Sequence, residues 1–196
     1  MTTLFLRVAL ALAGSVLTAT AVQAADPLSL VATGGVSYGG DDWQVARSRD
    51  GDPLYIHGGG RFEAGLGALW QAPNYPLAIS GLVNYHVDSR AGANGHAKFT
   101  RVPLEAMLYY TGMEKLRFGV GLSYVLSPTV KATVDGQEHS IKFDNATGKA
   151  FEIGYELAPR WWGNLRLTSE KFTPKDAGAA QDASVSNLSI NLSHLF

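Results

Sequence analysis

Cysteine is absent from the 196 residues. Disulfides, thiolate zinc sites, iron–sulfur clusters and cysteine nucleophiles are therefore excluded. A surplus of positive charge is missing too, since 16 basic and 17 acidic residues leave a net charge of −1. Nucleic acid needs a basic face for its phosphates and is not an expected partner. Long apolar runs are lacking after Ala24, so a helical span of about 20 apolar residues has nowhere to lie. If the chain beyond that point crosses a bilayer, it must do so with strands. No Gly-rich loop joins a strand to a helix and no His cluster has metal-ligand spacing, so neither cofactor nor metal is expected. What remains is 46% hydrophobic residues and 22 glycines in a length that suits one domain. Such a chain is too apolar for disorder.

Residues 1–24 read as a secretory signal peptide. Arg7 is the only charge before Asp26, and Val8–Val22 is built from Ala, Leu, Val, Gly, Ser and Thr. Val22-Gln23-Ala24 then offers small residues at both positions read by a signal peptidase. Gly14, Ser15, Thr18 and Thr20 interrupt the run, which argues against a membrane helix. The expected mature domain is 25–196.

From there the pattern has a period of two. Leu77, Ile79, Gly81, Val83, Tyr85 and Val87 alternate with Ala78, Ser80, Leu82, Asn84, His86 and Asp88. Successive strand side chains point to opposite faces, giving one apolar face and one largely polar face. The same alternation recurs in 28–38, 62–70, 102–110, 116–127, 151–157 and 187–193. It is weakest in 165–173, where Ser169 and Lys171 fall on the apolar side. About eight strands result, each near the 9–11 residues that cross a bilayer when tilted.

The connections alternate as well. Pro73–Pro76, Gly112–Lys115 and Pro159–Asn164 are short, whereas Gly39–Gly60, Ser89–Thr100, Pro128–Gly148 and Pro174–Ser184 are long and polar. Within the third long connection, Val130–Val134, Asp135-Gly136 and His139–Phe143 read as a hairpin rising past the rim. A soluble sandwich would also alternate, but it has no reason to sort aromatics by height. Here Tyr38, Tyr85 and Tyr124 fall at the upper strand ends, while Trp70, Tyr110, Trp161, Trp162 and Phe196 fall at the lower ends or turns. Two aromatic belts around an aliphatic band suit a bilayer.

In these features the sequence resembles the small eight-stranded outer-membrane β-barrels of Gram-negative bacteria: the outer-membrane protein A transmembrane domain, the X and W types, and the opacity proteins. The C-terminal run 187–196 carries the most specific part of that likeness. Leu188, Ile190, Leu192 and Phe196 look like the assembly signal of this class, with His194 replacing the usual apolar residue. The resemblance implies an all-β, antiparallel up-and-down barrel in the bacterial outer membrane, among lipid and lipopolysaccharide. It also implies insertion by the barrel-assembly machinery and a monomeric state.

An eight-stranded barrel is just wide enough for its own side chains to fill it. The inward positions include Arg61, Glu63, Asp88, Arg101, Glu105, Arg117, Glu152, Glu156, Arg166 and Glu170, expected to pair across the lumen. Gly65, Gly67, Gly119, Gly121 and Gly154 leave room beside them. A catalytic set is not expected. His139 and Ser140 are adjacent on a strand and point apart. His86, Asp88 and Ser89 near the outer rim are the nearest approach to one. The function expected is that of a non-enzymatic barrel serving envelope integrity or surface interaction through its long loops, with an unidentified ligand. A narrow solute channel is the second reading and a lipid-A-modifying enzyme the third.

Overall fold

A computed structural model describes residues 27–40, 42–47, 53–57, 61–92, 95–134, 136–175 and 183–196. The signal-peptide reading lies outside these residues, as does most of the last long connection. The strands are β1 (Leu28–Gly39), β2 (Asp42–Arg47), β3 (Pro53–His57), β4 (Phe62–Gln71), β5 (Leu77–Gly92), β6 (Gly95–Met113), β7 (Leu116–Val134), β8 (Gln137–Lys142), β9 (Ala146–Ala158), β10 (Trp161–Phe172) and β11 (Ala183–Leu195).

Eight of them close a barrel in the order β1-β4-β5-β6-β7-β9-β10-β11, each antiparallel to its neighbours. Closure is made by β1 and β11, registered from Val31↔Leu195 to Gly39↔Asn187. No barrel strand is left with an open edge in the bilayer, as a spanning sheet requires.

The faces are inverted relative to a water-soluble protein. Leu30, Leu66, Val83, Leu122, Phe151 and Ile190 point outward and are exposed, while Arg101, Arg117, Glu152, Asn164 and Asn191 are buried. A continuous exposed apolar band over buried charge is the informative combination, and it marks a lipid-facing wall. Tyr38, Tyr85 and Tyr124 stand outward near its upper edge; Trp70 and Tyr110 stand outward near the lower one.

Two expectations about the connections change and a third is met. Ser89–Thr100 is not a loop, because β5 runs to Gly92 and β6 begins at Gly95, paired throughout. Gly39–Gly60 contains the β2–β3 hairpin. The hairpin read in 128–148 is present as the top of β7 with β8, from Thr129↔Lys142 to Val134↔Gln137. Its turn uses Gly136 at φ 78°, a backbone shape that a glycine adopts without strain.

One bulge explains why β7 could be extended so far. Between Thr100 and Val102 the β6–β7 register slips, and Ser127 takes φ 48°. An extra residue in one strand shifts its side-chain parity. Below the bulge, Arg117, Ser123 and Val125 are buried; above it, Val130, Ala132 and Val134 are. The apolar residues of 130–134 thereby turn inward.

Candidate functional site

The lumen is the candidate site, and its filling is layered. At mid-height, on β5 and β6, His86 Nε2 donates to Glu63 at 3.0 Å, and Arg101 Nη2 lies 3.3 Å from His86 Nδ1. Arg101 also forms an ion pair with Glu170, which accepts a hydrogen bond from Ser123 Oγ at 2.8 Å. A second chain runs below. Arg166 bridges Glu105 at 2.5 Å and Glu152 at 2.5 Å, and its Nε donates to the same Glu152 oxygen at 2.8 Å. Arg117 completes it with Glu152 at 3.3 Å and Asn164 Oδ1 at 2.7 Å.

Apolar groups lie above and beside this charge. Phe99, Phe143 and Phe172 meet edge to face at centroid distances of 5.9–6.3 Å. They pack with Val125, Val130, Ala132 and Val185 into a cap inside the upper barrel. Val31, Leu69, Ala78, Leu82, Met107 and Tyr109 form a second apolar cluster, with Leu82 directly opposite Glu105. Two arginines join these groups by lying over rings. Arg101 is 5.8 Å from the Phe99 centroid and 5.7 Å from that of Phe172. Arg117 is 4.8 Å from Tyr109 and 4.5 Å from Trp162.

Glycine makes the lower packing possible. A Cβ on Gly154 would stand 2.7 Å from Arg117 Nε, and one on Gly119 would stand 2.6 Å from the Tyr109 ring. Both distances are too short for any other residue unless the large neighbour moves.

The structure brings together Glu63, Arg101, Glu105, Arg117, Glu152, Arg166 and Glu170 from the inward set. Asp88 is buried on the same face of β5 but outside these pairs among the described residues. Two assignments are corrected. Arg61 is exposed, because it precedes the last paired row of β4 (Phe62↔Val36 and Phe62↔Val87) and stands at the open rim. Glu156 is only half-buried and turns to the lower rim, where its Oε1 accepts from the Arg160 backbone N–H at 3.2 Å. The register slip between Trp161 and Trp162 accompanies that turn. It also sends Trp162 inward onto Arg117 rather than into the lower belt.

The residues weighed for catalysis do not converge. Ser89 is exposed on the face opposite Asp88, and His86 is occupied by Glu63 and Arg101. His139 and Ser140 alternate across β8, opposite Ala132 and Lys131.

At the chain end, Phe196 N–H donates to Leu30 O at 2.9 Å. The unusual His194 sits between Trp161 and Phe196, each 4.4 Å away by ring centroid. Stacking of this kind lets an imidazole stand where an aliphatic residue is usual. Sequence reasoning reached the charges but not the cap. Phe99, Phe143 and Phe172 lie in or beside stretches read as polar loops.

A closed barrel with a lipid-facing wall and a polar interior defines a transmembrane β-barrel. The chain matches the outer membrane protein beta-barrel domain family over residues 9–196 and belongs to it. It is a bacterial outer-membrane β-barrel protein. In fold it is similar to Neisserial surface protein A, at 10% identity and TM-score 0.57 over 89% of this chain and 100% of that one. Ail, the attachment invasion locus protein of Yersinia pestis, solved with the heparin analogue sucrose octasulfate, aligns at 10% identity and TM-score 0.57 over 86% and 97%. A major outer membrane protein from Thermus thermophilus aligns at 11% identity and TM-score 0.50 over 87% and 100%. No curated protein matches the sequence.

Proposed function

We propose that this barrel is a non-enzymatic, non-conducting element of the outer membrane that acts through its outer surface and long extracellular connections. One observation carries the reading. The buried charges of the lumen pair with one another beneath a phenylalanine cap and beside a second apolar cluster, which supports a lumen occupied by side chains rather than by a solute or substrate. Surface chemistry then falls to the parts above the bilayer: the β2–β3 hairpin, the tall β5–β8 sheet and the 174–184 connection. Loops carried on a rigid scaffold are where recognition usually resides. The same reading includes export by residues 1–24, insertion through the terminal signal Leu188, Ile190, Leu192 and Phe196, and a monomer in lipid and lipopolysaccharide.

Cells lacking the protein test this. They should become more sensitive to detergent or lose surface attachment, while their lipid A is unchanged by mass spectrometry. A version with 39–60 replaced by a short Gly-Ser turn should insert but not restore the phenotype. A lipid A species that appears or disappears with the protein would instead make it an enzyme.

A further inference from the structure

His86 is buried on β5, directly opposite Glu63 on β4 and Arg101 on β6. Its Nε2 stands 3.0 Å from a Glu63 oxygen, and its Nδ1 stands 3.3 Å from Arg101 Nη2. A guanidinium nitrogen can only donate, so Nδ1 is the acceptor and the ring proton lies on Nε2. The imidazole is neutral in this arrangement. Arg101 is also paired with Glu170 and lies over the rings of Phe99 and Phe172. A second seat for it is close by. Asp88 is buried two residues above His86 on the same face of β5, directly opposite Phe99. Asp88 and Arg101 are thus diagonal cross-strand neighbours, a spacing that a long side chain spans. The charges around the ring favour an added proton. Glu63 faces it from β4, Asp88 from its own strand, Glu105 from β6 and Glu170 from β10 beyond Arg101. Arg166 on β10, Arg117 on β7 and Glu152 on β9 belong to the chain below, and β1 and β11 carry no Asp, Glu, Lys or Arg. Buried carboxylates outnumber buried guanidinium groups in this lumen.

We infer that His86 is a proton-operated latch on Arg101, and that acid passes Arg101 from His86 to Asp88. The inference rests on the surface-acting reading above and adds a regulation to that surface. A proton taken from solvent onto Nδ1 turns that nitrogen from acceptor to donor. It then opposes a guanidinium that also only donates, while Glu63 keeps its hydrogen bond from Nε2. Arg101 cannot move toward Asp88 without disturbing the Phe99 and Phe172 rings it lies over. Those rings pack on Phe143, which opens the β8–β9 link. The Phe143 N–H donates to Pro128 O at 3.0 Å, and the Asp144 N–H donates to Thr173 O at 2.9 Å. Acid is therefore read inside the barrel and reported at the foot of the β7–β8 hairpin and of the 174–184 connection. Imidazole suits the task, being the side chain whose ordinary charge change falls between about pH 5 and 8.

The test follows the full barrel in lipid nanodiscs by NMR, from about pH 8 down to about pH 5. Nitrogen-15 spectra of the His86 ring should show a bare Nδ1 at the upper end and both nitrogens protonated at the lower. Over the same interval the hydrogen-exchange protection factors of the Phe143 and Asp144 amides should fall about tenfold, within the range usual for coupled sites. His86→Gln keeps an acceptor for Arg101 and a donor for Glu63 but takes no proton, so its protection should stay at the upper-pH value throughout. Asp88→Asn removes the charge of the second seat, so the ring should still protonate while the loss of amide protection shrinks. A proton on Nδ1 at the upper end would overturn the inference, as would wild-type protection that ignores pH. A full loss of protection in either variant would overturn it too. The wild-type titration and the Asp88 variant decide the matter even where the Gln barrel does not insert. All of these signals come from the isolated barrel, so failure of the latch and failure of the surface-acting reading are seen separately.

Discussion

Arg166 holds two carboxylates at once in the middle of the barrel, and its planar fork explains why arginine occupies that position. Nη1 serves Glu105 while Nη2 and Nε together serve Glu152. Replacing Arg166 with Ala leaves both carboxylates without that partner. Breaking a buried pair costs about 3–5 kcal/mol where desolvation is complete, and less where water enters. Urea unfolding in lipid vesicles should register the loss. The double change Arg166→Met, Glu105→Gln should recover most of it, because Glu152 keeps Arg117 and no charge is stranded. A single Arg166→Ala barrel as stable as wild type would mean that the three side chains do not form a dry cluster. Arg117→Ala should also lower thermal stability, since it removes contacts to Glu152 and Asn164 and two ring faces.

At the scale of elements, the period-two pattern gave all eight barrel strands because the bilayer enforces it on every outward residue. Leu77–Val87 and Leu116–Tyr124 had no freedom to break it. Above the membrane that constraint lapses, and so did the reading. Ser89–Thr100 looks polar because Ser89, Lys98 and Thr100 face water, yet Ala97 and Phe99 alternate with them into the cap. Val130–Val134 showed its alternation, but its side of the sheet depends on the Ser127 bulge, which no residue pattern announces. Trp162 looked like a belt residue because the slip at Trp161 cannot be seen in sequence. Inward charge was legible from parity. Which arginine meets which carboxylate was not, because pairing crosses the lumen between strands distant in the chain.

The closing strand carries a prediction of its own. Deleting Phe196 removes its hydrogen bond to Leu30 and its ring contact with His194, both beside the β1–β11 seam. Export should be unchanged, while the fraction of protein found as a heat-modifiable, protease-resistant barrel in the membrane should fall. An unaltered fraction would show that the seam and the assembly step do not need the terminal ring.

As a whole, the molecule is a barrel turned inside out at bilayer height and the right way round above it. Lipid solvates Leu, Val and Phe outside, arginine and glutamate fill the middle, and the upper interior returns to Phe and Val as in a soluble protein. The long connections should therefore face the exterior. Protease added to intact cells should cut first within 39–60 or 174–184 rather than at Pro73–Pro76, because exposed polar connections are preferred nicking sites. First cleavage at Pro73–Pro76 would reverse the orientation.

That the lumen is filled is the claim on which the functional proposal depends, and single-molecule recording in planar bilayers tests it most directly. Water-filled barrels have about 16–18 strands, twice the number here, and an eight-stranded one is just wide enough for side chains to fill it. The wild-type protein should insert without steady current. Phe172→Ala, which opens the cap above Arg101, should yield brief, small openings. Steady, large, stepwise conductance from the wild type would contradict the filled lumen and make the protein a channel.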